Sequence, residues 1–405
     1  MLTAASAPDD DWTRALGRAL DGRSKADLLR TRRVVDGPQG PRLRFGGREY
    51  VNFCSNDYLG LANHPALREA LARASVQFGV GSGASHLITG HGRCHEALET
   101  ALARFVRRDR ALLFSTGYMA NLGTLSALVS RGDAVFADRL VHASLIDGAL
   151  LSRARLKRYA HGDAAHLDAL LAKSAARRKL VVTDGVFSMD GDIAPLAELV
   201  PVCARHGAWL LVDDAHGLGV LGRDGGGVLS TFGLGSAEVP VLIGTLGKAF
   251  GTFGAFVAGH RVLTETLIQQ ARPYIYTTAP PPGVAAATRA ALELAQKESW
   301  RRQRLRELVA RFRSGAARLG LPLPDHETPI QPLVLGQPAA VLKASAALAS
   351  HGIHVAAIRP PTVPRGAARL RFTFSAGHSD EDLERLLAAL EACVTAQPAL
   401  FRPGQ

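Results

Sequence analysis

Between about residue 95 and residue 260, short apolar runs recur at 111–114, 134–137, 180–183, 209–212 and 239–243, with helical segments between them. Strands separated by helices of that length predict βαβ units and a mainly parallel sheet. In such a sheet, ligands sit beyond the carboxyl ends of the strands. The chemistry of this chain is therefore expected in the residues that follow each run.

Those residues are informative. After the first run comes Ser115-Thr116-Gly117-Tyr118, a turn opening a helix, whose free N–H groups and positive dipole end suit a phosphate. Asp138 and His142 follow the second run, and Asp184 with Ser188 the third. Asp213, Asp214 and His216 follow the fourth, and Thr245 and Lys248 the fifth. Lys248 stands among small residues, between Gly247 and Ala249. Taken alone, it is a surface lysine in a glycine-rich turn, Asp213 a helix cap, and His142 and His216 ordinary core or loop histidines.

Outside this region the pattern changes. Residues 12–35 read as a basic helix, 42–53 as a β-rich piece between turn signals, and a helix begins near Pro65. Glycines at 79, 81 and 83 allow close backbone approach or positive φ. Beyond three prolines at 280–282, a long helix places Leu305, Leu308, Val309 and Phe312 on one face. Strands are expected at 330–335, 354–358 and 369–375, the last with Leu370, Phe372 and Phe374 inward and Arg369, Arg371 and Thr373 facing away. Ser379 caps a final helix. The expected division is an N-terminal helical and β segment (1–50), a large cofactor-binding α/β domain (51–285) and a smaller C-terminal α+β domain (286–405).

Composition narrows the function classes. The four cysteines, at 54, 94, 203 and 393, form no CxxC pair, so neither a disulfide framework nor a zinc ribbon is indicated. Neither Asp213, Asp214 and His216 nor His91, Cys94 and His95 make a convincing closed metal site, and no metal is expected. No run approaches the ~18 apolar residues of a membrane span, and the first twelve residues lack a basic stretch followed by an apolar one. A cytoplasmic protein without membrane association is expected. The formal charge of +12 suits a polyanion, but the arginines are scattered without aromatic interleaving, which argues against nucleic acid. A small or protein-borne anionic partner accounts for the charge equally well.

Together the five strand ends fit one cofactor, pyridoxal 5′-phosphate. Its aldehyde needs a primary amine, Lys248. Its ring nitrogen needs a carboxylate, Asp213, to stay protonated and draw electrons. Its phosphate suits a helix N-terminus and hydroxyls, here Gly117, Tyr118 and Thr245. His142 is placed to stack on the ring, and Ser188 and His216 to bond the phenolic oxygen.

The chain resembles the fold type I pyridoxal-phosphate enzymes, specifically the α-oxoamine synthases. Seven blocks carry the resemblance in order: SNDYLGL (55–61), VGSGAS (80–85), TGYMAN (116–121), HASL (142–145), DGVFSMDG (184–191), VDDAHGLG (212–219) and TLGKAFG (245–251). It implies a decarboxylative condensation of an amino acid with an acyl thioester, with Lys248, His142 and Asp213 catalytic. The stretch 357–364, with Arg369 and Arg371 after it, is most similar to the branch that joins L-alanine to pimeloyl thioester, carried on coenzyme A or acyl carrier protein. By the same resemblance Arg30, Asn56, His142, Arg359, Thr362 and Arg371 are substrate contacts, and the enzyme is a homodimer. His86, where many relatives carry arginine, departs from the pattern. The alternatives are a sister synthase using glycine or serine, and a catalytically dead basic binding protein.

Overall fold

The computed structural model describes residues 11–401. Residues 1–10, part of the stretch expected to lack a basic segment followed by an apolar one, lie outside the described residues. Among the described residues there are thirteen strands: β1 (Arg42–Phe45), β2 (Arg48–Asn52), β3 (Arg110–Phe114), β4 (Ala134–Asp138), β5 (Arg155–Tyr159), β6 (Lys179–Asp184), β7 (Trp209–Asp213), β8 (Val241–Thr245), β9 (Ala255–Gly259), β10 (Ile330–Gly336), β11 (Ile353–His354), β12 (Ala356–Ile358) and β13 (Ala368–Thr373).

Seven of them form the central sheet in the order β3-β9-β8-β7-β6-β4-β5. The β5-β4-β6-β7-β8 block is parallel, and β9 returns antiparallel between β8 and β3. Side chains alternate between two buried clusters: Leu112, Val135, Val182, Leu211 and Ile243 on one face, Leu113, Phe136, Val181, Val212 and Leu242 on the other. Burial on both faces explains why these strands are continuous apolar runs.

Two strands escaped the sequence pattern. In β5, RLKRY, charged residues interrupt the apolar signal because it is the sheet's edge, where exposed charges blunt further pairing. Strand β9 is separated from β8 by nine residues of glycine-rich loop with no helix between, so the alternation gave no cue. The run expected at 239–243 pairs two residues later, as Val241–Thr245, which makes Thr245 the last residue of its strand.

At the N-terminus, helix Asp11–Lys25 is shorter than the expected 12–35 and buries none of its residues. The hairpin β1–β2 joins β11 in a three-stranded sheet, so residues 42–52 pack with the C-terminal region. Helix Pro282–Lys297 crosses residue 285 and packs against helices Pro65–Phe78 and Arg93–Phe105. We propose that the small domain begins at helix Trp300–Arg318 and includes the β1–β2 hairpin. Its second sheet runs β10-β13-β12. Every residue of β13 is buried, because the face carrying Arg369 and Arg371 meets the large domain rather than water. The final helix is capped as expected, with Ser379 Oγ accepting from Asp382 N–H.

Candidate active site

The parallel register places Asp184 and Asp213 side by side at the carboxyl ends of β6 and β7. Above them a cavity of about 190 Å³ is lined by Gly117, Tyr118, Asn121, His142, Asp184, Val186, Ser188, Asp213, Ala215, His216, Thr245 and Lys248. All eight residues expected to bind the cofactor are in that lining.

Lys248 Nζ lies 2.8 Å from His216 Nε2, and His216 Nδ1 lies 2.6 Å from the hydroxyl of fully buried Tyr58. Burial lowers the Lys248 pKa to about 8, with Asp213 and Asp184 opposing the shift and Arg371 adding to it. Burial, with the Lys248 charge second, holds His216 well below its ordinary value and so neutral. An ammonium can only donate, so Nε2 accepts from Lys248 and the ring proton sits on Nδ1, which donates to Tyr58. The Tyr58 hydroxyl in turn reaches Asn56 Oδ1 at 3.2 Å.

Asp213 is held by Asn121 Nδ2 (2.7 Å) and the Ala215 N–H (3.1 Å). Asn121 Nδ2 also donates to Ser144 Oγ (2.8 Å), and Ser144 Oγ lies 2.7 Å from His142 Nδ1. Ser144 N–H points at the same ring nitrogen, since His142 caps helix Ala143–Ser152. His142 Nδ1 is therefore an acceptor, and the neutral ring carries its proton on Nε2. Desolvation keeps His142 in that neutral form against the pull of Asp213. Burial and then the Asp213 charge push Asp184 well above the carboxylate range, although the His142 N–H donates to it at 3.2 Å.

The helix Gly117–Leu128 points its N-terminus at this cavity, and Thr116 Oγ1 caps it by accepting from Met119 N–H. The first-turn N–H groups of Gly117 and Tyr118 have no acceptor within the helix. The Tyr118 hydroxyl donates to Asp147. Thr245 Oγ1 donates to Gly254 O at 3.1 Å, so it must rotate to donate to an anion.

Arg371 is buried without a carboxylate partner among the described residues. Its Nε donates to Ser188 O (2.6 Å), and both terminal nitrogens converge on Asn56 Oδ1 at 3.2 Å. The remaining expected contacts form a separate group. Arg30 donates to Thr362 Oγ1 (2.9 Å), and Arg359 to the carbonyls of Asp27 (2.9 Å) and Leu29 (3.3 Å); none of the three lines the cavity.

Three participants had no role assigned from sequence: Tyr58, Asn121 and Ser144. All three lie inside recognised blocks, SNDYLGL, TGYMAN and HASL, which is the signal that could have found them. His91 precedes the helix Arg93–Phe105, so His91, Cys94 and His95 do not share a helical face. His95 is bound to Gly92 N–H and Pro280 O.

A buried amine, a carboxylate beneath it, a histidine wall and an open helix N-terminus in one small cavity match the donor set that pyridoxal phosphate requires. Residues 48–390 match the aminotransferase class I and II family, and the chain belongs to it. Within that family it is an α-oxoamine synthase with pyridoxal 5′-phosphate as cofactor. It is 62% identical over 371 residues, 92% of this chain and 98% of the relative, to 8-amino-7-oxononanoate synthase of Nitrosococcus oceani. Among solved structures, a serine palmitoyltransferase from S. paucimobilis with bound pyridoxal phosphate superposes with a TM-score of 0.91 at 30% identity, over 96% of this chain and 100% of that one. The 8-amino-7-oxononanoate synthase of Francisella tularensis gives 0.75 at 32% identity, over 86% and 99%.

Proposed function

We propose that this enzyme condenses L-alanine with a pimeloyl thioester to give 8-amino-7-oxononanoate, CO2 and the free thiol, a step of biotin synthesis. The observation that carries the reading is the 62% identity over nearly the full length of a relative so named, with every expected cofactor contact lining one cavity.

When bound, pyridoxal phosphate supplies an electron sink conjugated to the α-carbon through the nitrogen of the amino acid. Lys248 would tether it, Asp213 would hold its ring nitrogen protonated, and His142 would lie over its ring. Ser188 and His216 would meet its phenolic oxygen, and Gly117, Tyr118 and Thr245 its phosphate. Arg371 and Asn56 receive the alanine carboxylate, the bidentate partner that a buried guanidinium lacks in their present pairing. Lys248 Nζ takes the α-proton. The α-carbon then bonds to the acyl carbon, and the thiolate leaves and gains a proton. The amino-acid carboxylate departs as CO2, and Lys248 returns a proton to the α-carbon. His142 orients the incoming acyl group.

Arg30, Arg359 and Thr362 form the proposed contact for the acyl donor. Coenzyme A and acyl carrier protein are both acidic, which gives the net charge of +12 a use in attracting either. No helix among the described residues is long and apolar enough to cross a membrane. The proposed setting is the cytoplasm, with the chain as a homodimer.

Turnover with alanine, glycine and serine, each against pimeloyl-coenzyme A and pimeloyl-acyl carrier protein, tests the reading. Alanine with one of the pimeloyl donors is expected to be fastest. Preference for glycine or serine with a different acyl chain would assign the enzyme to a sister synthase instead.

A further inference from the structure

The hairpin 186–193 carries Ser188 to the cavity and is closed by its own backbone. Val186 pairs with Ile193, Phe187 N–H donates to Asp192 O (2.9 Å), and Gly191 N–H donates to Phe187 O (2.8 Å). The small domain holds it from one side: Arg369 binds Asp190 and Met189 O, Arg371 binds Ser188 O, and Thr328 Oγ1 donates to Gly191 O (2.7 Å).

On its large-domain side the hairpin meets His161, which lies between β5 and helix Ala164–Ala172. His161 Nδ1 is 3.0 Å from Asp138 Oδ1, and Nε2 is 2.9 Å from Asp192 Oδ2. Ionised carboxylates only accept, so both ring nitrogens must donate and the ring is an imidazolium. Burial opposes that charge, but the bonds to Asp138 and Asp192 outweigh it and raise the pKa to about 10. The ring also meets Phe187 edge-on, with centroids 4.4 Å apart and planes at 90°.

The two carboxylates depend on His161 to different degrees. Asp138 has further donors in the N–H groups of Leu140 (2.7 Å) and Gly162 (2.8 Å). For Asp192, His161 is the side-chain partner shown, and Oδ1 is buried with no partner among the described residues. Among the described residues, the side-chain hydrogen bonds between Asp192 and the end of β4 therefore run through this ring.

We propose that His161 is a positioning residue for the cofactor site: by bridging Asp138 and Asp192 it sets the 186–193 hairpin against β4, and so sets where Ser188 stands in the cavity. The inference rests on the reading of Ser188 as a partner of the cofactor's phenolic oxygen. His161 itself lines no part of the cavity. A glutamine in its place donates from a single nitrogen, so it cannot span oxygens on opposite sides of a ring.

Pyridoxal 5′-phosphate is titrated into the cofactor-free full-length protein and its His161→Gln, Asp192→Ala, Ser188→Ala and His161→Gln/Ser188→Ala variants. Absorbance gives the spectrum and dissociation constant, and far-UV circular dichroism reports folding. His161→Gln is expected to displace the bound cofactor's absorption maximum in the same direction as Ser188→Ala and to weaken binding about tenfold. The double variant should go no further than Ser188→Ala alone, and Asp192→Ala, which removes the oxygen that accepts from His161, should reproduce the shift. If His161→Gln keeps the wild-type spectrum and affinity while Ser188→Ala changes them, the proposal is overturned and the Ser188 reading stands. If Ser188→Ala changes neither, the Ser188 reading fails and the proposal falls with it. Should His161→Gln not fold, Asp192→Ala decides on the same criteria.

Discussion

Lys248 Nζ and His216 Nε2 stand 2.8 Å apart, with the imidazole as acceptor and its other nitrogen committed to Tyr58. The histidine cannot take the lysine's proton permanently, because burial keeps it neutral. It fixes the direction of the amine while leaving the amine free to react.

Only the unprotonated amine attacks the cofactor aldehyde. With the Lys248 pKa lowered to about 8, the rate at which cofactor-free protein is reconstituted should rise with pH and level off above about 8. An ordinary lysine would still be gaining up to about 10.5. Stopped-flow absorbance after mixing with pyridoxal phosphate measures this. Lys248→Ala should form no borohydride-fixable adduct and lose ~10²–10⁴-fold or more in turnover.

Asp213→Asn should bind cofactor yet lose on the order of 10²-fold or more in kcat, because the electron sink loses its anionic partner. Asn121→Ala leaves the carboxylate in place but removes the donor shared with Ser144. It should give a smaller loss in kcat together with a displaced cofactor spectrum, since Asp213 and His142 are both loosened. Steady-state kinetics and absorbance separate the two variants.

Arg371→Lys should raise the KM for alanine more than it lowers kcat. Lysine keeps the charge but loses one of the two charge-assisted hydrogen bonds of the fork, which removes about 1.5–3 kcal/mol, or roughly 10- to 150-fold in binding. Asn56→Ala should act in the same direction with a smaller effect. An unchanged KM for alanine in Arg371→Lys would move the carboxylate site elsewhere.

Gly227 has φ +81°, and a Cβ there would sit 1.9 Å from Asp214 Oδ2. That carboxylate is fully buried and bound by Val228 N–H at 2.7 Å, so it has no free direction in which to withdraw. Gly227→Ala should cost at least about 3 kcal/mol, read from urea unfolding of the full chain. Alanine at Gly162, which has positive φ but open space around it, should cost less.

Much of the site was legible before folding. Of the five strands of the parallel block, apolar runs located β4, β6 and β7 to within a residue at each end and β8 to within two, and the polar residues behind them supplied Asp213, His216, Lys248, Ser188 and His142. β5 was hidden by the charges an edge strand carries, and β9 by its short, helix-free connection. Arg369 and Arg371 were correctly set opposite Leu370 and Phe372, but pattern alone does not distinguish a face turned to water from one turned to another domain.

The sequence by itself determined the kinds of group available and their order along the chain: an amine, two adjacent acids, histidines and a helix N-terminus, each at the end of a buried strand. Periodicity and turn chemistry encode these because they act between residues a few positions apart. Only the tertiary structure decided the pairings, such as Arg371 with Asn56 across 315 residues, or Asn121 joining Asp213 to Ser144. It also decided that Lys248 titrates near 8 and that His161 carries a charge. Those properties depend on distance and on exclusion of water, which exist only once distant segments have packed together.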